Sequence, residues 1–204
     1  MLTQQSDIRT YLADDAAVFF KTKERHGGLS NMASGYTLRV SGVEIRSSEA
    51  LYQMCRYPER SGFQTEILQE RSPMTAKMKS KKYLEHTRSD WLQVRVPIMK
   101  WCLRVKLVQN FHAFSHVLAE TGSRPIVEKK VRKVDFWGAK VQDGGTFVGR
   151  NVLGRLLMEL RDKVDAAEYT EHSIVPPPPV KDMFILGRPV GSVSAADKIP
   201  ERLI

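Results

Sequence analysis

Apolar positions along this chain recur at two spacings. Val18 to Phe20 reads as a strand, and Tyr36 to Ile45 reads as two alternating strands whose hairpin turn is Ser41-Gly42. Beyond Ile45 the spacing changes to three and four. Ser47 and Ser48 can cap a helix that runs to about Tyr57, with Leu51, Met54 and Cys55 on one face and Pro58 as its stop. Ser72 before Pro73 starts another, running to about Tyr83, since proline at the first helical position gives up only a donor that would be unpaired. From Asp90 to about Phe111 the residues Trp91, Val94, Ile98, Trp101, Val105 and Val108 mark a long helix with a kink or restart at Pro97. A short helix from Ala113 to Glu120 stops at Thr121-Gly122, and Asn151 to about Ala167 carries a stripe of Leu153, Leu156, Leu157 and Leu160.

A few strands followed by many helices predict an α+β fold, mostly helical, with one domain over residues 1–170. Residues 171–204 form a separate stretch. Four successive prolines, Pro176 to Pro179, predict an extended strap, and the apolar Met183 to Leu186 either folds back as an edge strand or plug or links to a partner.

Composition narrows the function classes. The 204 residues are long enough for one full core, and two cysteines make no disulfide framework. No apolar run approaches the ~20 residues of a membrane span, and the first residues lack a signal-peptide pattern, so the expectation is a cytoplasmic protein with no membrane partner. The histidines and cysteines show no metal-ligand spacing, which predicts no metal. A net charge of +9, from 32 Lys+Arg against 23 Asp+Glu, favours a polyanionic partner through counterion release.

Three segments carry more polar, glycine and aromatic residues than packing requires. In His26-Gly27-Gly28-Leu29-Ser30-Asn31, paired glycines let backbone approach a ligand, while Ser30 and Asn31 can bond sugar or phosphate; a plain turn explains the same residues. Glu49, Tyr52 and Gln53 lie within about one helical turn, where the acid serves ribose hydroxyls, acid-base chemistry or simply the helix dipole. Asp135-Phe136-Trp137-Gly138 precedes a loop with Gly144 and Gly145 and then Asn151 at a helix start, a construction suited to stacking a base and cradling phosphates. Lys106, inside an apolar helical run, is either a desolvated nucleophile or a snorkelling lysine.

Taken together, Phe19 to Met32, SSEALYQMCRY from Ser47, SPMTAKM from Ser72, Leu103-Arg104-Val105-Lys106, Ile126-Val127-Glu128, Asp135-Phe136-Trp137-Gly138 and GRNVLGRLLMELR from Gly149 resemble the NADAR family, also called YbiA-like. The resemblance covers about residues 18 to 164 and points to the toxin-associated branch. Arg56 stands where many members have Lys, and Ala50 where riboflavin-type members have His.

The resemblance implies a cofactor-independent N-glycosidic hydrolase that removes ADP-ribose from guanine bases in DNA, with RNA as a further substrate, and so acts as antitoxin to a DarT-type ADP-ribosyltransferase. ADP-ribose is then the product. The implied catalytic residues are Glu49, which steadies charge on the ribose, Lys106 as a Schiff-base nucleophile, and Asp135 in proton transfer. The implied substrate contacts are Trp137 stacking on a base or adenine, Asn31 with the Gly144-Gly145 loop holding the diphosphate, and Gly28, Ser30, Tyr52, Gln53, Arg56, Lys77, Gly138 and Asn151 around them. Two alternatives stand beside this reading: an N-glycosidase of phosphoribosylated riboflavin-synthesis intermediates, and a non-catalytic ADP-ribose or nucleic-acid binding module.

Overall fold

The computed structural model describes residues 7–131 and 136–198. The chain divides into two compact units, one built from residues up to Ser30 and from Ser115 to Ala166, the other from Asn31 to Phe114 and from Ala167 onward. The expectation of a mostly helical fold is overturned. The fold is mixed α+β, its six α-helices among the described residues cover about a third of the chain, and the first unit is organised by a five-stranded sheet.

The strands of that sheet are β1 (Arg9–Leu12), β2 (Ala17–Phe19), β5 (Ile126–Lys130), β6 (Ala139–Gln142) and β7 (Thr146–Gly149), arranged in the order β1-β7-β6-β5-β2. β5 runs parallel to both β2 and β6, while β7 is antiparallel to β1 and β6. β2 matches the strand read at Val18 to Phe20, but the other four are only four or five residues long and two of them carry lysine, so no run of alternation marks them in the sequence. Pairing with distant partners makes them strands, with Ala17 opposite Ile126 and Tyr11 opposite Phe147. Tyr11, Ala16, Val127, Ala139 and Phe147 form an apolar cluster on this sheet.

Helix α6 (Val152–Asp165) packs on β5 with Leu153, Leu157 and Leu160 buried. Gly154 permits that approach, because a Cβ there would lie 2.1 Å from the Ile126 carbonyl oxygen. Arg161 is buried beside it and donates to Thr121 Oγ1 and the Arg124 carbonyl at 2.9 and 2.8 Å.

In the second unit, β3 (Leu38–Val40) and β4 (Val43–Ile45) form the predicted hairpin. Ser41 and Gly42 both take positive φ, 51° and 77°, as a two-residue turn of this kind requires. Ser47 caps α1 (Ser48–Met54) by accepting from the Ala50 N–H, and Ser72 closes a capping box with Thr75 on α3 (Pro73–Lys81). Between them lies α2 (Ser61–Gln69), which the apolar pattern does not announce: its N-cap Arg60 makes no side-chain cap, and only Gln64 and Ile67 are buried. α4 (Trp91–Gln109) runs through Pro97 without a restart, and α5 (Phe111–Ala119) follows at once. Among the described residues no helix is long and apolar enough to cross a membrane.

The tail folds back within this second unit. Val175 bridges Val193, and β8 (Phe184–Ile185) pairs with β9 (Arg188–Pro189), with Val175 and Ile185 fully buried. Gln64 is the clamp. Its amide nitrogen donates to the Met54 and Phe184 carbonyls at 3.1 and 2.8 Å, and its oxygen accepts from the Leu186 N–H at 2.7 Å. Replacing Gln64 by Leu strands those backbone groups away from water, so urea denaturation should show a loss of about 2–4 kcal/mol. An unchanged transition midpoint would mean that the tail is held by its apolar contacts alone.

Candidate functional site

The residues singled out by sequence fall into two groups. Asn31, Glu49, Tyr52, Gln53, Arg56, Lys77 and Lys106 belong to the second unit, while Gly28, Ser30, Trp137, Gly138, Gly144, Gly145 and Asn151 belong to the first. Asp135 lies outside the described residues.

The second unit brings its group together on α1. Asn31 is buried just ahead of the hairpin; its carbonyl accepts from the Glu49 N–H at 3.2 Å, and its side-chain oxygen accepts from Ser48 Oγ at 3.0 Å. Glu49 occupies the first turn of α1 and is only 5% exposed. Its Oε1 accepts from Gln53 Nε2 at 2.9 Å, the i to i+4 neighbour on the same helix face, and meets Lys77 Nζ of α3 at 3.7 Å. Gln53 Oε1 in turn accepts from Ser80 Oγ at 2.7 Å. These partners satisfy a carboxylate that is almost cut off from water.

Beside this cluster, the Tyr52 ring lies 5.0 Å from the Trp91 ring, and the Arg56 guanidinium stands 4.6 Å from the same indole. Arg56 Nε is buried with no hydrogen-bond partner. Burial drives the Tyr52 hydroxyl far above its ordinary range, against the pull of Arg56 and Arg95, so Tyr52 stays un-ionised. Burial likewise raises the Cys102 thiol, reinforced by the neighbouring Cys55 and by Glu49, which keeps it protonated and unsuited to nucleophilic work.

Lys106 sits one turn beyond Cys102 on the same face of α4. It is completely buried, with Nζ 4.2 Å from the Tyr36 ring and 4.1 Å from the Phe114 ring. Two opposing effects act on its charge. Each ring face favours the ammonium by roughly 0.5–2 kcal/mol. Desolvation opposes it by several kcal/mol and prevails, holding the amine well below its usual range. A neutral amine is the nucleophilic form.

In the first unit the sequence motifs are largely committed to backbone. Asn151 takes φ 47° at the start of α6, its Nδ2 donates to the Ile126 carbonyl at 2.8 Å, and its Oδ1 accepts from the Glu128 N–H at 3.1 Å. Its side chain therefore ties β5 to the helix start. Gly144 and Gly145, with φ of 80° and 71°, form the turn between β6 and β7. Gly28 belongs to a single 3-10 turn, Gly27–Leu29, preceded by buried His26 in a left-handed conformation with Nδ1 lacking a partner. Ser30 is buried as the residue closing that turn; Trp137 and Gly138 offer carbonyls to the N–H groups of Leu153 and Asn151.

Sequence reasoning passed over Ser80, Arg95 and the ring pair Tyr36 and Phe114. Ser80 was legible in principle: Ala76 and Ser80 are the buried pair on the otherwise lysine-rich α3. A cavity of about 300 Å³ in the second unit opens among Tyr57, Arg60, His86, Thr87, Arg88 and Asp182. None of the residues predicted from sequence lines it, and its Arg88 is already held by Asp90 and the Lys181 carbonyl.

The state of Lys106 has a thermodynamic signature. Its folded-state pKa lies below the unfolded value near 10.5, so below that value the unfolded chain binds a proton that the folded chain lacks. Wild-type stability should therefore gain on a Lys106→Met variant as pH rises from 7 towards 10, by up to about 1.4 kcal/mol per pH unit. Paired urea titrations at several pH values measure this, and a pH-independent difference would show that Lys106 is charged when folded.

Comparison with known proteins agrees with this architecture. The solution NMR structure of Escherichia coli YbiA superimposes with a TM-score of 0.63 at 27% identity, covering 78% of this chain and 90% of that one. The N-glycosidase YbiA of Escherichia coli K12 is 30% identical over 157 residues, 77% of this chain and 93% of the relative. The riboflavin biosynthesis protein VVA0006 of Vibrio vulnificus is 32% identical over 169 residues, but this chain spans only 43% of its length. The NADAR domain model matches residues 18–165, and with it the chain belongs to the NADAR family.

Proposed function

We propose that this protein is an N-glycosidic hydrolase that removes ADP-ribose from guanine bases in DNA, with RNA as a further substrate, and thereby counteracts a DarT-type ADP-ribosyltransferase. The observation that carries the catalytic part of this reading is the pairing of chemistries in one unit: a buried carboxylate, Glu49, and a buried amine, Lys106, whose charged form burial disfavours. The net charge of +9 supports a nucleic-acid substrate over a single nucleotide.

Breaking a glycosidic bond leaves positive charge on the anomeric carbon and ring oxygen. Glu49, preorganised by Gln53 and Lys77, stabilises that charge without reorganising solvent. Lys106 attacks the anomeric carbon as a neutral amine, the bond to the guanine nitrogen breaks, and the base departs with a proton. Opening of the ribose ring then gives an imine on Lys106, which water hydrolyses to ADP-ribose and free lysine. Within the second unit Asn31 and Arg56 are assigned to the diphosphate; a proton delivered to the base by Asp135 and base stacking by Trp137 rest on the family resemblance alone. Lys79 is engaged by Glu66 and Glu70 at 3.3 and 3.6 Å, so the exposed Lys81, at the end of α3, and Lys82, its C-cap, are the lysines left for a polymer backbone.

A second reading follows from the names of the relatives, a riboflavin biosynthesis protein and an N-glycosidase. In it the same residues cleave a phosphoribosylated pyrimidine. Incubation with ADP-ribosylated oligonucleotide and with phosphoribosylaminopyrimidine separates the two, and the first should be turned over at least ten times faster.

Glu49→Gln should lower turnover of the oligonucleotide by about 10²–10³ in a folded sample, the scale of a lost electrostatic stabiliser. Borohydride added during turnover should trap a protein adduct that Lys106→Ala abolishes. Wild-type turnover by Glu49→Gln, or an adduct that survives Lys106→Ala, would remove that residue from its role.

A further inference from the structure

Gln53, placed among the substrate contacts by sequence, has both ends of its amide engaged by the protein. Its Nε2 donates to Glu49 Oε1 at 2.9 Å and its Oε1 accepts from Ser80 Oγ at 2.7 Å. An amide can sit in two orientations that exchange oxygen and nitrogen. In the reversed one, Gln53 would present a carbonyl oxygen to the carboxylate, replacing an attraction with a repulsion inside a dry site.

We propose that Ser80 is a positioning residue for Glu49: its hydroxyl fixes the Gln53 amide in the orientation that presents an N–H to the carboxylate. The inference deepens the role proposed for Glu49 and rests on it. Ser80 is fully buried on α3, so no water replaces its hydrogen bond. The Ser80 hydroxyl has two acceptors within reach, Gln53 Oε1 at 2.7 Å and the Tyr57 oxygen at 3.2 Å, whose own proton goes to the Ser80 carbonyl, and the shorter contact is the one to Gln53. By distance the Ser80 proton goes to Gln53, and the Gln53 N–H to Glu49. Helix α3 grips the carboxylate twice, directly through Lys77 and indirectly through Ser80, which lies three residues on along the same face.

Both contacts fall on Glu49 Oε1. Oε2 takes part in neither and is the oxygen assigned to the ribose. Gln53 accordingly supports the carboxylate and is removed from the substrate contacts.

The test compares wild type, Ser80→Ala, Ser80→Thr, Gln53→Leu, the Ser80→Ala/Gln53→Leu double variant and Glu49→Gln in the full chain. The first readout needs no substrate: the Gln53 side-chain amide signals in ¹H–¹⁵N spectra, identified by their loss in Gln53→Leu. Their protection from water exchange should fall at least tenfold in Ser80→Ala and recover in Ser80→Thr. The second is turnover of ADP-ribosylated oligonucleotide, where Ser80→Ala should lower kcat about tenfold with KM within about twofold. Adding Ser80→Ala to Gln53→Leu should cost nothing further, since both act through one contact. Unchanged amide protection in Ser80→Ala overturns the proposal, as do multiplying effects in the double variant or wild-type kcat in Ser80→Ala. Failure of the underlying reading shows separately, as wild-type turnover by Glu49→Gln. If Ser80→Thr does not fit its buried site, the double variant still decides.

Discussion

Holding the Glu49 carboxylate out of water is the constraint around which the second unit is arranged. A buried carboxylate without partners would cost several kcal/mol and take up a proton instead. Three segments answer that cost. The hairpin's approach supplies Asn31, which binds the backbone of Glu49 and the side chain of Ser48; α1 supplies Gln53 one turn on; α3 supplies Lys77 and Ser80. The Ser47 cap matters to the site for the same reason, because it fixes where α1 begins and hence where Glu49 points.

Lys106 presents the opposite problem with a different solution. Where Glu49 is given charged and polar partners, the Lys106 amine is placed over two aromatic rings, Tyr36 and Phe114, in a fully buried position. The rings recover only part of the hydration an ammonium loses, so burial pulls the Lys106 pKa well below its usual range. One unit thus buries a carboxylate among polar partners and an amine among aromatic rings, two chemically different groups placed for different tasks.

The first unit spends its conspicuous residues on close packing. Gly154 lets α6 lie against β5, Asn151 ties the helix start to the same strand through both ends of its amide, and the Gly144-Gly145 pair turns β6 into β7. Such residues resemble a ligand cradle in sequence because both uses need backbone amides at short range and freedom to adopt positive φ. Buried His26, left-handed and with an unpaired Nδ1, is an exception, since packing alone does not account for it.

Local rules determined much of this molecule directly from the sequence. Ser47, Ser72 with Pro73, and Ser41-Gly42 set the starts of α1 and α3 and the turn of the β3–β4 hairpin, because caps and tight turns are decided by residues within four positions of one another. Glu49 was legible for the same reason, as an acid in a capped first turn. Of the main sheet only the strand at Val18 to Phe20 was, since strands such as Arg9–Leu12 are too short to show a period and exist only because Thr146–Gly149 returns to pair with them. Nor could spacing show that Ser80 reaches Gln53, 27 residues away, or that Lys106 meets Tyr36 and Phe114 instead of water. Those facts depend on which faces are buried against each other, a property of the packed chain that no local stretch of sequence contains.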